Sequence, residues 1–131
     1  MRHRFELESR PEGVAPTLDA LETTVIESGL TQELALEVRL LGEESITNVV
    51  KYANAATIEV ALDVSETSVV LEVRDDGRHF DPLSAATPAL EANVEERPLG
   101  GLGIHLIQTL TDEVSYERRQ HWNVLRLTKH R

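Results

Sequence analysis

An acid and an amide lie four residues apart in a stretch with helical periodicity. They are Glu44 and Asn48, and side chains at this spacing share one face of a helix. The carboxamide oxygen of Asn48 suits Mg²⁺, which takes oxygen ligands and usually keeps phosphate and water ligands beside a few protein ones. The Glu44 carboxylate, one turn earlier, suits a base that deprotonates an attacking hydroxyl or water. Taken alone, the pair is better explained as two polar residues on an exposed helix face.

A second group of interest follows a predicted strand as Asp75-Asp76-Gly77. A carboxylate at this point could accept a hydrogen bond from the exocyclic amino group of adenine. Gly77 would let the backbone come close to a flat base or adopt a positive φ. Alone, this run is better explained as an ordinary turn.

A glycine cluster, Gly100-Gly101-Leu102-Gly103, opens an amphipathic segment that continues through Ile104 and Leu110. Backbone N–H groups at a glycine-rich helix start form an anion site. A Walker A loop is excluded, because no lysine occurs between Lys51 and Lys129. A dinucleotide-binding loop would follow a strand tightly, whereas a long proline-containing stretch precedes this one. A flexible loop end explains the glycines equally well.

The elements that must position these groups follow from hydrophobic periodicity. Pro11 and Pro16 are predicted to mark a turn, and Gly42 within the second helix is predicted to mark a close packing contact. The order of elements predicts one α+β layer sandwich spanning 1–131. Between 81 and 98 the periodicity vanishes, which fits either a lid or a disordered surface loop. The predicted strands are 2–8, 57–64, 68–74, 113–118 and 122–129, and the predicted helices are 17–28, 31–53 and the segment after Gly100.

Composition narrows the function classes. The net charge of −10 argues against direct nucleic-acid binding, and no apolar run is long enough for a membrane span. The absence of cysteine excludes disulfides and thiolate metal sites, which favours the cytoplasm. After Glu117 the charged residues are all basic, which is typical of a solvated strand edge; a contact with an acidic partner is the alternative.

Together the three runs resemble the ATP-binding fold shared by gyrase, histidine kinases and heat-shock chaperones. The nearest likeness is to the small anti-sigma-factor serine/threonine kinases of that superfamily, and it lies in 41–53, 73–82 and 100–107. Phe80-Asp81-Pro82 after the second run favours this branch. The resemblance implies a two-layer α/β sandwich with a mixed, mostly antiparallel sheet and helices on one face.

The resemblance also implies roles for individual residues. Asn48 would bind Mg²⁺, Glu44 would be the base that activates a protein serine or threonine, and Asp75 with Gly77 would hold the adenine of ATP. Residues near 83 to 99 would form the lid. Further contacts to the nucleotide are expected from Lys51, His79, Gly100, Gly101, Leu102, Gly103 and Ile104. Proteins of this kind typically form homodimers, bind a sigma factor, and phosphorylate a small anti-anti-sigma protein.

Two positions depart from the family pattern. The second motif usually has glycine where this chain has His79, whose side chain would crowd or line the site. Tyr52 lies where a histidine is common. One rival hypothesis is therefore a non-catalytic regulatory module that binds nucleotide and acts through protein contacts. A second is an α+β interaction domain that binds no nucleotide. A histidine-kinase fragment is disfavoured, because no phospho-accepting helical hairpin precedes the predicted ATP domain.

Overall fold

The computed structural model describes the backbone of residues 1–83 and 100–131, and the side chains of 1–83 and 105–131. Five strands form one sheet in the order β1-β2-β3-β5-β4. All four pairings between these strands are antiparallel, so the mixed sheet that the resemblance implied is, in the described part, purely antiparallel. The strands are β1 (Arg2–Glu8), β2 (Thr57–Val64), β3 (Ser68–Asp75), β4 (Glu113–Arg119) and β5 (Trp122–His130).

Three α-helices are described: α1 (Val14–Glu27), α2 (Gln32–Asn48) and α3 (Gly100–Leu110). A short 3₁₀ turn, Pro11–Gly13, leads into α1. The predicted start of α1 at residue 17 is wrong, because Pro16 lies inside the first turn of the helix. That position is tolerated, since N–H groups of a first turn have no intrahelical acceptor. The expected lid lies almost entirely outside the described residues.

The helices cover one face of the sheet and form the core with it. Strand residues alternate as predicted, with Ile58, Val60 and Leu62 of β2 buried against the helices. From α2, Val38 and Leu41 are 1% exposed. Burying each such side chain stabilises the fold by roughly 1.5–3 kcal/mol relative to leaving it in water. The α+β layer sandwich is therefore confirmed.

The α1–α2 pair shows why Gly42 is glycine. A Cβ built at Gly42 would lie 3.0 Å from Leu21 Cδ1 and 3.1 Å from Leu18 Cδ2. The predicted close packing contact is thus present. The turn between these helices also follows the prediction, with Gly29 at φ +83° and the Thr31 hydroxyl accepting the Leu34 N–H at 3.1 Å.

The basic C-terminal strand contacts an acid of its own chain. Lys129 Nζ lies 2.9 Å from a Glu37 carboxylate oxygen and donates to the Leu110 carbonyl. This one side chain therefore ties β5 to α2 and to the C-terminal end of α3. Among the described helices, none is long and apolar enough to cross a membrane.

Candidate nucleotide site

The structure brings the first two sequence runs to one small cavity. Asn48 ends α2 and Asp75 ends β3, and both line this cavity between the helices and the sheet. Asn48 is 5% exposed and Asp75 is 2% exposed. Polar groups so deeply buried are costly unless they find partners. The remaining walls come from Ser45, Val49, Val73, Phe80, Pro82, Tyr116, Asn123 and Leu125.

One oxygen of the Asp75 carboxylate is held by the protein. Its Oδ1 accepts the Gly77 N–H and a hydrogen of Asn123 Nδ2, both at 2.9 Å. Among the described residues no group donates to its Oδ2. Burial raises the pKa of Asp75, and the hydrogen bonds from Asn123 and Gly77 oppose that rise. The carboxylate thus has a fixed orientation, and within the described residues its Oδ2 is available to accept from a ligand N–H group.

Asn123, on β5, fixes that orientation through four hydrogen bonds. Besides Asp75, its Nδ2 donates to the Arg78 carbonyl at 2.7 Å. Its Oδ1 accepts the Phe80 N–H at 3.2 Å and the Tyr116 hydroxyl at 2.5 Å. Both donor hydrogens and both acceptor sites of the amide are therefore used, which makes this a fully satisfied buried network.

Asn123 and Tyr116 are site residues that were not predicted from the sequence. A signal for Asn123 was present, because it precedes Leu125 and Leu127 in the inward-facing alternation of β5. A polar side chain at a core-facing strand position calls for a buried partner. Asp75 is that partner, directly opposite in the β3–β5 register.

Asp76, the middle residue of the second run, bonds to the backbone at the start of β2. Asp76 Oδ1 accepts the backbone N–H groups of Ala56 and Thr57 at 2.8 and 2.9 Å. The Thr57 bond is the largest cause of the lowered pKa of Asp76. The two aspartates thus have different roles, because Asp76 accepts hydrogen bonds from the backbone while Asp75 lines the cavity.

A Gly77→Ala substitution is expected to destabilise the protein by on the order of 1–3 kcal/mol. Its Cβ would lie 2.3 Å from the Ala53 carbonyl oxygen and 2.9 Å from Asp75 Oδ1. Close approach, and not a positive φ, is therefore what requires glycine. Urea unfolding would measure the loss. Gly13→Ala is the control, because the atoms nearest to its Cβ would be Leu7 Cδ1 at 3.3 Å and the Glu8 carbonyl oxygen at 3.4 Å; equal unfolding free energies for the two variants would contradict this account.

Glu44 lies half-buried one turn before Asn48 and is not among the residues lining the cavity. Burial raises the pKa of Glu44; the positive charge of Lys51 lowers it, and the negative charge of Glu43 adds to the rise. Lys51 itself is exposed on the turn that follows α2. A carboxyl whose pKa is raised toward neutrality is better matched to proton transfer than an ordinary one.

His79 borders the site and does not fill it. Its side chain is exposed, with its ring centroid 5.9 Å from that of Tyr116, and it is not among the lining residues of the cavity. The crowding that the sequence raised for this position is therefore not seen. A nucleotide contact by His79 stays a prediction.

The glycine-rich run begins a helix, as predicted, with α3 starting at Gly100. Ile107 of this helix is fully buried in the core and holds α3 beside α2. The side chains of 100–104 lie outside the described part. Phosphate contacts by Gly100, Gly101, Leu102, Gly103 and Ile104 therefore stay predictions.

The donor set fits Mg²⁺ held jointly with phosphate oxygens. Within the described residues, no group of three or more His, Cys, Asp or Glu could hold a metal by itself. The Asn48 amide lines the cavity, and no described group hydrogen-bonds to it. A neutral oxygen ligand is compatible with Mg²⁺ when a triphosphate supplies oxygen ligands and most of the negative charge.

Comparison with known proteins agrees with this fold. The sequence matches the histidine kinase-like ATPase domain family over residues 7–129. In structure, the chain is similar to one in the SiaB–SiaC complex from Pseudomonas aeruginosa, with a TM-score of 0.71 and 20% identity, covering 96% of this chain and 88% of that one. At that identity the likeness shows the fold alone.

Two curated relatives are named as kinases. The serine/threonine-protein kinase BtrW of Bordetella bronchiseptica is 30% identical over 114 residues, covering 84% of this chain and 80% of that protein. The serine-protein kinase RsbW of Listeria innocua is 28% identical over 118 residues, covering 84% and 75%. The chain therefore belongs to the histidine kinase-like ATPase domain family, and the resemblance to its serine/threonine kinases is confirmed.

Proposed function

We propose that this protein is an ATP-dependent serine/threonine kinase that acts on a partner protein. The observation that carries the proposal is the shared cavity, which is lined both by a buried amide at the end of α2 and by a buried carboxylate at the end of β3. Asp75 Oδ2 would accept a hydrogen bond from the adenine amino group, and the Asn48 side-chain oxygen would bind Mg²⁺. The bound metal would neutralise charge that develops on the phosphates.

The chemistry proposed is transfer of the γ-phosphoryl group of ATP. A bond forms between the partner's hydroxyl oxygen and the γ-phosphorus, the bond to the β–γ bridging oxygen breaks, and ADP leaves. Glu44 takes the proton of the hydroxyl. Positioning and electrostatic stabilisation supply most of the rate, since phosphoryl transfer asks for little covalent chemistry from the protein.

By likeness to the serine kinases, the proposed setting is partner switching in control of transcription. The partners would be a sigma factor and a small anti-anti-sigma protein of the STAS type, and phosphorylation of the latter would change which partner is held. A homodimer in the cytoplasm is the proposed working form. The acidic chain, with a net charge of −10, is consistent with control through protein contacts instead of direct DNA binding.

A thermal-shift measurement with Mg-ATP, followed by transfer from γ-labelled ATP to candidate STAS proteins, tests the proposal. ATP at 100 times its dissociation constant would stabilise the fold by roughly 2.7 kcal/mol. No shift would favour an interaction domain that binds no nucleotide. A shift without label on any partner would favour the non-catalytic regulatory module.

A further inference from the structure

The turn that follows Asp75 is bonded directly to the residues that follow α2. The Arg78 backbone N–H donates to the Ala53 carbonyl at 2.8 Å, and Arg78 Nε donates to the Tyr52 carbonyl at 2.8 Å. Both carbonyls belong to Val49–Ala53, the π-helical turn that follows Asn48 without a break. Arg78 therefore contacts the turn of helix next to the proposed metal ligand.

The contact supplies hydrogen-bond donors to carbonyls at the end of the helical segment that continues from α2. The last carbonyls of a helix have no intrahelical donors and carry partial negative charge. The guanidinium supplies a donor and a positive charge together, which makes a stronger hydrogen bond than a neutral donor would. The missing Cβ of Gly77 lets the Ala53 carbonyl approach close enough to be reached.

The same arginine is bonded to the adenine side of the site. Its carbonyl accepts from Asn123 Nδ2, the group that also donates to Asp75. Phe80 makes a second connection between the same two regions. Its ring centroid lies 5.6 Å from that of Tyr52, and its N–H donates to Asn123 Oδ1. One short path of contacts thus joins Asp75 to the turn after Asn48.

We propose that Arg78 is a positioning residue that couples adenine recognition at Asp75 to the placement of the Asn48 amide. The proposal rests on the proposed function, since it assigns work to a residue of the same ATP site. The path passes through the Arg78 carbonyl on the Asp75 side, and through its backbone N–H and Nε on the side of the turn after Asn48. Coupling of this kind makes the binding of one part of a ligand depend on how the other is held.

Titration calorimetry measures the coupling as the gain in ATP affinity on adding Mg²⁺. In Arg78→Gln this gain is expected to fall by on the order of tenfold, the size of one hydrogen bond from a charged donor, while adenosine affinity stays close to wild type. Arg78→Lys keeps the charge and a donor and is expected to recover part of the gain. Arg119→Gln is the matched control, because Arg119 is an exposed arginine whose guanidinium pairs with Glu117.

A double-mutant cycle separates positioning from simple stabilisation. If Arg78 acts through Asn48, then Arg78→Gln produces no further loss of the Mg²⁺ gain in an Asn48→Ala background. Additive losses, or equal losses of adenosine and Mg-ATP affinity, would overturn the proposal. A residue that only stabilised the fold would lower the melting temperature without changing the Mg²⁺ gain.

A measurement without ligand keeps this inference distinct from the proposed function. NMR of the nucleotide-free protein is expected to show Arg78→Gln shifting the side-chain amide signals of Asn48, with no such shift in Arg119→Gln. Unchanged Asn48 signals would refute the coupling whether or not ATP binds. If the wild type binds no ATP but the Asn48 signals do shift, the proposed function fails and the physical linkage stands.

Discussion

A Glu44→Gln variant is expected to transfer phosphate to its partner about 10²–10⁴-fold more slowly than wild type, the usual contribution of a general base. Glutamine keeps the size and polarity of the side chain but cannot take a proton. ATP affinity is expected to change little, because Glu44 does not line the cavity that holds Asn48 and Asp75. Single-turnover transfer from γ-labelled ATP, with calorimetry of ATP binding alongside, measures the two quantities separately.

Glu43→Gln is the matched control for the Glu44 prediction. Glu43 is adjacent and exposed, and its charge makes the smallest of the three contributions to the pKa shift of Glu44. Its substitution is expected to leave the transfer rate within a few-fold of wild type. A Glu44→Gln variant that labels its partner as fast as wild type would show that another group takes the proton.

The raised pKa of Glu44 also leads to a prediction for the pH dependence of the transfer rate. Its pKa is raised, chiefly by burial, so the protonated and inactive form persists to higher pH than for an ordinary glutamate. The transfer rate is therefore expected to fall as pH is lowered through this raised pKa. The corresponding limb should be absent from the residual activity of Glu44→Gln.

Most of the fold could be predicted from local pattern. Alternation in β2 and β3 is clear because one face of the sheet is covered by helices and the other is not, so neighbouring residues have opposite environments; Ala61 of β2, 7% exposed, is the exception. The start of α1 was missed for a local reason, since Pro16 marks a turn and a helix start equally well. The antiparallel character of the whole sheet depends on strand order, which no single segment specifies.

In the candidate site, too, residues within short motifs could be predicted from sequence, whereas roles that depend on long-range contacts could not. Asp75 and Asn48 belong to short motifs and could be chosen from sequence. The role of Asn123 depends on β5 pairing with β3 so that Asn123 lies opposite Asp75, and that pairing is set by the assembled sheet. The reason for Gly77 is similarly remote, because the atom that excludes a Cβ is the carbonyl oxygen of Ala53.

An Asp75→Asn variant is expected to lose about 10–100-fold or more in ATP affinity while its unliganded fold is no less stable than wild type. The side-chain oxygen of asparagine can still accept from Gly77 and Asn123, so the network that holds the turn survives. Its NH₂ group, however, would face the cavity in place of Asp75 Oδ2 and oppose the adenine amino group. An unpaired buried donor of this kind costs about 1–3 kcal/mol, and the removal of a buried charge relieves its desolvation.

Thermal shift with and without Mg-ATP distinguishes this outcome from simple unfolding. Asp76→Asn is the matched control, because Asp76 bonds to the backbone of Ala56 and Thr57 and not to the cavity. It is expected to retain the ATP-induced shift, with some loss of unliganded stability. Equal ATP-induced shifts in wild type and Asp75→Asn would remove Asp75 as the adenine acceptor.

In the wild type, titration of Asp75 is expected to change stability and ATP affinity in opposite directions as pH rises. Because burial raises the pKa of Asp75 in the folded protein, the folded state holds this proton more tightly than the unfolded state does. The contribution of Asp75 to stability therefore falls as pH rises from its unfolded pKa through its folded pKa. ATP affinity should rise over the same interval, since only the ionised carboxylate keeps both oxygens as acceptors. Subtracting the Asp75→Asn profile removes titration of the nucleotide itself, and a difference that is flat with pH would contradict the assignment.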